Sequence, residues 1–310
     1  MSSAVLFPGQ GSQFVGMGSE LFEACPDLLG DRADQVLGWS LREMCLTGPE
    51  EALTRTEHAQ PALYALAYAL WETLAAGMDT DPDGAAGHSL GEYTALTAAG
   101  SLSYDVGLSI VAHRGRAMAS AADLEPSGMA ALIGADPDLA DEVAATRRSQ
   151  GGRLQVANLN APGQIVMAGG LDDIEWLSEN GPTLGVRRVI PLRVAGGFHS
   201  SFMAPAADEL ERALSTVVIQ PPRFPVWSNT TARPHRTEEM ASTLVQQVVS
   251  PVRFSESLAD MARAGIDTFI HVGPGDVTAG MARKTVPNAT VLTVSTLDDL
   301  PPALEALGTI

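Results

Sequence analysis

Apolar positions along the 310-residue chain alternate between short buried runs and longer helical stripes. Residues 4–7 (AVLF) form an apolar run closed by the glycine-rich PGQGSQ, which predicts a buried strand feeding a loop. From Pro61, PALYALAYALWETLAAG puts proline in a first turn, good helix formers behind it and glycine at the end, the pattern of a helix. Residues 85–87 suggest a weak strand, and residues 90–99 a helix stopped by Gly100. Strands alternating with helices predict an α/β fold with a mainly parallel sheet.

The middle of the chain reads differently. Strands are predicted at residues 128–133, 154–157, 164–168 and 186–192, and helices at 136–147 and 171–179; NLNAPG joins the second and third strands. The order βαββαβ is that of a ferredoxin-like unit. Residues 126–193 are therefore expected to form a small ferredoxin-like domain. It would be inserted into a larger α/β domain made of residues 1–125 and 194–310.

Helical spacing also exposes one charge. In YDVGLSIVAHRGRAMASAA, Val106, Ile110, Arg114, Ala117 and Ala121 share a stripe, so Arg114 interrupts an apolar face while Arg116 points elsewhere. A buried guanidinium cannot shed its charge and needs an anionic partner. That partner is either an internal carboxylate or the carboxylate of a bound molecule.

Composition narrows the class. With 45% hydrophobic and 18% charged residues the chain suits a soluble globular protein with a sizeable core. A formal net charge of -18 argues against nucleic acid as a partner. No apolar stretch is long enough for a membrane span, and the N-terminal segment lacks the features of a signal peptide, so a cytoplasmic location is expected. Cys25 and Cys45 offer neither a disulfide framework nor metal-ligand spacing. Positive charge gathers in two places, at Arg147, Arg148 and Arg153 and at Arg187, Arg188 and Arg193.

The candidate chemistry centres on Gly87-His88-Ser89-Leu90-Gly91, which fits G-x-S-x-G. Ser89 is either a nucleophile on a sharp strand-to-helix turn or an ordinary helix-capping serine. On the first reading the Leu90 N–H faces a developing oxyanion, and Gln10 in FPGQGSQ is placed to give a second donor. That loop lacks the G-K-[ST] of a phosphate-binding loop. Two of the six histidines could serve as base: His199 in VAGGFHSSFM and His271 in FIHVGPGD. Spacing does not choose between them.

Seven ordered motifs between about residues 4 and 285 then carry a resemblance: FPGQGSQ, GHSLGEY, HRGRAM, NAPGQIVMAGG, FHSSFM, QQVVSPVRF and VGPGD. The chain resembles the malonyl-CoA:acyl carrier protein transacylases and the wider group that includes polyketide synthase acyltransferases. The resemblance implies a hydrolase-like core carrying the ferredoxin-like insertion, with Ser89 as nucleophile, His199 as base, and Gln10 and Leu90 as oxyanion donors. It implies that the Gln247 carbonyl orients His199, and that Arg114 pairs with the free carboxylate of a malonyl-type acyl group. His88, Gly197 and Phe198 are expected beside the acyl group. Phe198 favours malonyl by excluding an α-branch, while Gly197, where relatives often carry alanine, is expected to loosen that corner. Coenzyme A thioester and acyl carrier protein are the expected partners, with no cofactor or metal, and the protein is expected to be a monomer. His271 becomes structural on this view, and the role of Asp276, where some relatives have lysine, stays open.

Three other readings compete. An acyl hydrolase of the same fold would gain nothing from a buried Arg114. A general α/β-hydrolase using His271 lacks a convincing acid, Asp267 lying too close in sequence. A silent docking module would have no reason to keep Ser89, His199 and Arg114 together. Transfer of another extender unit, or between carrier proteins, is the alternative within the family, for fatty acid or polyketide synthesis. Carrier-protein docking is expected on the two arginine clusters, Arg153 and Arg187 first among them.

Overall fold

In the computed structural model, which describes residues 2–308, Ser3–Phe7 form strand β1 with all five residues buried. Eight strands follow: β2 (Gly84–Gly87), β3 (Ser127–Ile133), β4 (Gln155–Ala161), β5 (Gln164–Gly170), β6 (Arg188–Pro191), β7 (Val226–Trp227), β8 (Thr268–Val272) and β9 (Thr290–Val294). The larger sheet runs β7-β2-β1-β8-β9 and every pairing in it is parallel. Parallel strands are covered on both faces, which is why β1 and β8 read as continuous buried runs without alternation. The chain winds outward from β1 through β2 to β7, then returns to the other side for β8 and β9. Such a reversal opens a crevice at the carboxyl ends of the strands. The segments after β1 and β2 enter it, and they carry Gln10 and Ser89.

Two long helices pack beside this sheet. Thr56–Ala76 begins five residues before the predicted Pro61, which lies inside the helix rather than in its first turn. Pro61 forgoes only one helical hydrogen bond there, and burial of Thr56, Ala59 and Gln60 holds the extra turn. Tyr104–Leu124 starts at Ser103, whose hydroxyl accepts from the Val106 N–H. Ile110, Arg114, Ala117 and Ala121 are buried as predicted. Val106 departs from the stripe; in the first turn it lines a surface cleft with Ser109 and His113 and is 37% exposed.

The middle of the chain builds a separate antiparallel sheet in the order β4-β5-β3-β6. The helices Pro137–Ser149 and Leu171–Asn180 lie between its strands in sequence. Along β3, Ala130 and Leu132 pack with Val143, Leu154 and Leu177, whereas Met129 joins the core of the larger sheet. One prediction needs correction here. The loop NLNAPG is mostly strand: β4 runs on to Ala161 and only Pro162 and Gly163 turn the chain. The extension is held from outside the hairpin, by Val252, which accepts from the Leu159 N–H at 2.8 Å and donates to the Ala157 carbonyl at 2.9 Å.

Candidate active site

Between β2 and the helix Gly91–Ala98 the chain has three residues to reverse direction, and Ser89 at the centre adopts φ 53°. A Cβ on Gly87 would lie 1.8 Å from the Gly91 carbonyl carbon, and one on Gly91 would lie 2.5 Å from the Phe7 oxygen. Both glycines are therefore sterically required, and the turn is the sharp elbow rather than a helix cap. The hydroxyl accordingly faces away from the helix amides. Ser89 Oγ lies 2.8 Å from His199 Nε2 and accepts from Arg114 Nη2 at 3.0 Å. The strained backbone is held at both ends: Ser89 N–H donates to Asn229 Oδ1 at 2.7 Å, and Ser89 O accepts from Gln247 Nε2 at 2.9 Å.

His199 is 4% exposed, and its Nδ1 sits 2.8 Å from the Gln247 carbonyl oxygen. A carbonyl only accepts, so the proton belongs on Nδ1 and Nε2 is left as an acceptor toward Ser89. Burial, reinforced by the Arg114 charge, pushes the His199 pKa down to about 3. His271 is far less available. Wholly buried at the end of β8, it is tied to the Thr278 hydroxyl at 2.5 Å and the Gly273 carbonyl at 3.0 Å, and burial lowers it to about 4.

Arg114 is 1% exposed and finds amide and hydroxyl oxygens rather than a carboxylate. Nη1 donates to Gln60 Oε1 at 2.6 Å and Nη2 to Gln247 Oε1 at 2.8 Å, with the Tyr93 ring centroid 5.6 Å from the guanidinium carbon. Among the described residues its Nε has no partner and no acidic side chain forms an ion pair with it. Burial alone weakens its hold on the proton, yet a guanidinium stays charged. The site thus holds a desolvated cation beside the serine with room in its hydrogen bonding for an incoming anion.

A cavity of about 250 Å³ opens above Ser89, walled by Met118, Met129, Val166, Leu192, Phe198 and Val277. Gln10, Leu90, His88 and Arg193 also face it. Among the described residues the backbone amides of Gln10 and Leu90 donate to no protein acceptor, while the Gln10 side chain is pinned to the Thr56 hydroxyl at 3.2 Å. His88 Nε2 donates to Asn160 Oδ1 at 2.7 Å. Gly197 is not on the cavity wall; its N–H donates to Ser127 Oγ, and an alanine there would press on Ser127 and Phe202 at 3.3–3.4 Å. Any effect of Gly197 on the acyl group must pass through Phe198.

The arginine clusters do not form one patch. Arg147 pairs with Asp173 at 2.7 Å and Arg148 donates to the Leu154 carbonyl, so both are absorbed by the small sheet's own structure. Arg153 pairs with Glu125 and stacks 4.0 Å from the Phe202 ring centroid, near the start of β3. Arg187 packs at Gly134 and Arg188 pairs with Ile133, at the other end of β3, roughly 20 Å away along seven residues. Only Arg193 reaches the cavity.

Residues 5–299 match the family model described as the acyl transferase domain. The chain belongs to the acyltransferase family. This acyltransferase is 40% identical over 307 residues to the malonyl CoA-acyl carrier protein transacylase of Bacillus subtilis (strain 168), covering 98% of this chain and 96% of that protein. It is also 40% identical over 291 residues to the polyketide biosynthesis protein ThaF of Burkholderia thailandensis, covering 92% of this chain but only 24% of that protein. Among solved structures it is similar to a type II polyketide synthase acyl-carrier protein in complex with its malonyl-transacylase (TM-score 0.93, 33% identity, 99% of this chain and 100% of that chain). It is likewise similar to the acyl-carrier-protein-S-malonyltransferase of Bartonella henselae (TM-score 0.94, 36% identity, 99% and 100%).

Four residues of this acyltransferase site escaped sequence reasoning: Gln60, Glu92, Asn229 and His235. Glu92 carried a local signal, as a carboxylate on an apolar helix three residues after Ser89. Asn229 and His235 lie 140 and 146 positions beyond Ser89 in loop sequence that nothing marks.

Proposed function

We propose that the protein transfers a malonyl group from coenzyme A to the phosphopantetheine thiol of an acyl carrier protein through an ester on Ser89. The observation that carries this reading is the buried Arg114 guanidinium 3.0 Å from the Ser89 oxygen, with no carboxylate among the described residues paired to it. A simple acyl group gives that cation nothing to bind; the free carboxylate of malonyl does. Names of similar proteins point the same way, since two of them act as malonyl transferases toward acyl carrier protein.

His199 Nε2 takes the Ser89 proton as the oxygen attacks the thioester carbonyl, and the Gln10 and Leu90 amides receive the oxyanion. Collapse expels the coenzyme A thiolate, which the imidazolium protonates. The carrier thiol then attacks the ester, giving up its proton to His199, and Ser89 regains it when the product leaves. Met129, Phe198 and Val166 line the cavity above Ser89, and side chains of that bulk suit an unbranched acyl unit. We read residues 126–193 as a ferredoxin-like insertion, supported by the βαββαβ order and the antiparallel sheet. Docking of the carrier is expected at Arg193, on the cavity, and at Arg153, near the start of β3; Arg187 and Arg188 lie at the other end of β3 and are left out of this surface.

The test is a comparison of two histidines. His199→Ala should lose most malonyl transfer, on the order of 1,000-fold in kcat, whereas His271→Ala should lower the melting temperature and leave kcat of the folded enzyme near wild type. The reverse ranking would overturn the assignment of the base.

The pH profile is a second test. A base with its pKa lowered to about 3 is neutral throughout the working range, so kcat/KM for malonyl-CoA should stay flat from about pH 5 to 8. Bound malonyl neutralises Arg114 and removes part of that depression, so the acid limb of kcat should lie at higher pH than that of kcat/KM. A kcat/KM limb near the ordinary histidine value would contradict the role given to His199.

A further inference from the structure

Glu92 has no task in the chemistry above, yet it is fully buried in the turn directly beneath Ser89. Its Oε2 accepts from Gln247 Nε2 at 2.6 Å and from the Asn229 backbone N–H at 3.1 Å. Its Oε1 meets His235 Nε2 at 2.6 Å, with both side chains of that pair almost wholly out of solvent. One proton must lie between Oε1 and Nε2, because two lone pairs at that distance would repel.

The consequence lies in the two amides that Glu92 touches. An ionised carboxylate only accepts, so it fixes the Gln247 side-chain nitrogen toward itself. Gln247 Oε1 is thereby aimed at Arg114 Nη2, and the same nitrogen is kept on the Ser89 carbonyl. The backbone of Gln247 meanwhile carries the carbonyl that sets the His199 tautomer. Asn229, anchored to Glu92 through its N–H, gives Oδ1 to the Ser89 N–H and Nδ2 to the Gly87 carbonyl at 2.7 Å. The partners that fix the serine backbone, the base and one arm of the cation thus trace back to one carboxylate, while Gln60 holds the other arm.

We propose that Glu92 and His235 form a positioning pair: through Gln247 and Asn229 they hold Ser89, His199 and Arg114 in reacting geometry. His235 supplies the proton that lets Glu92 remain an acceptor on its other oxygen. Without that donor Oε1 is a buried acceptor with no partner, and the carboxylate must turn to find one. Turning breaks the Oε2 contacts to Gln247 and Asn229 and leaves the Gln247 amide free to turn over. A turned amide presents its NH₂ to Arg114 and its oxygen to the Ser89 carbonyl, two repulsive contacts.

This inference rests on Ser89 being the nucleophile, and its test is chosen to separate the two. Three variants are compared with wild type: His235→Ala, which removes the donor, Glu92→Gln, which removes the charge at nearly constant shape, and His235→Gln, which restores an N–H. The rate of Ser89 modification by a fluorophosphonate is measured with the single-turnover preference for malonyl-CoA over acetyl-CoA, both normalised to folded protein. His235→Ala and Glu92→Gln should lose roughly 10- to 100-fold in labelling rate and a similar factor in malonyl preference, and His235→Gln should recover most of both. Should His235→Ala not fold, Glu92→Gln carries the same expectation. Variants that melt earlier but label and discriminate like wild type would show an ordinary buried pair and overturn the positioning role alone. A wild type that accepts neither phosphonate nor acyl group would overturn the Ser89 reading and this one with it.

Discussion

Ser89→Ala should take up no acyl group. Incubated with malonyl-CoA, the wild type should gain the mass of one malonyl ester, and the variant should show only its own mass. Steady-state transfer should fall on the order of a million-fold, the scale reached when a serine nucleophile is removed from a hydrolytic site. The elbow explains why the loss is this complete. Ser89 Oγ is the one hydroxyl on the turn between β2 and its helix, held at φ 53° by bonds to Asn229 and Gln247 that an alanine backbone keeps. Folding should therefore survive, and unfolding monitored by circular dichroism serves as the control. Full acylation of the folded variant would remove the mechanism.

The second large effect concerns selection among acyl groups. Arg114→Ala should cost malonyl transfer about 2–5 kcal/mol, the range for losing a desolvated charged partner. That corresponds to roughly 30- to 4,000-fold in kcat/KM. Acetyl transfer should fall little or rise, because acetyl carries no carboxylate for the guanidinium to meet. Gln60 and Gln247 lose a donor each in the variant, so some stability will go with it. Equal losses for malonyl and acetyl would mean that Arg114 supports the fold and does not read the substrate.

Much of this was legible in the chain because the deciding signals are local. The elbow announces itself in five residues, since only glycine fits where Gly87 and Gly91 approach each other and β1. Arg114 stands out because helical spacing alone aligns it with Ile110, Ala117 and Ala121. The errors share a cause as well. Pro61 looked like a helix start because the preceding TEHAQ is polar, yet Thr56 and Gln60 are buried by the tertiary fold. Asn158 and Asn160 looked like loop, but β4 is extended by pairing with Val252, nearly a hundred residues on. Arg153 and Arg187 looked like one charged surface, although antiparallel pairing sends them to opposite ends of β3. Likewise Asn229 and His235 acquire meaning only through Glu92, far away in sequence.

The small sheet has two faces with different duties. Ala130 and Leu132 point into a core of their own, while Met129 and Val166 point across the crevice to the serine. Neither Met129 nor Val166 makes a hydrogen bond to Ser89, His199 or Arg114. Size and shape at these two positions bear on the cavity wall and on the core they join, without touching the polar groups around Ser89. The fold thereby keeps shape and polar contacts on separate sheets: a lineage can recontour one wall of the cavity by exchanging a handful of side chains, while the contacts among Ser89, His199 and Arg114 are inherited unchanged.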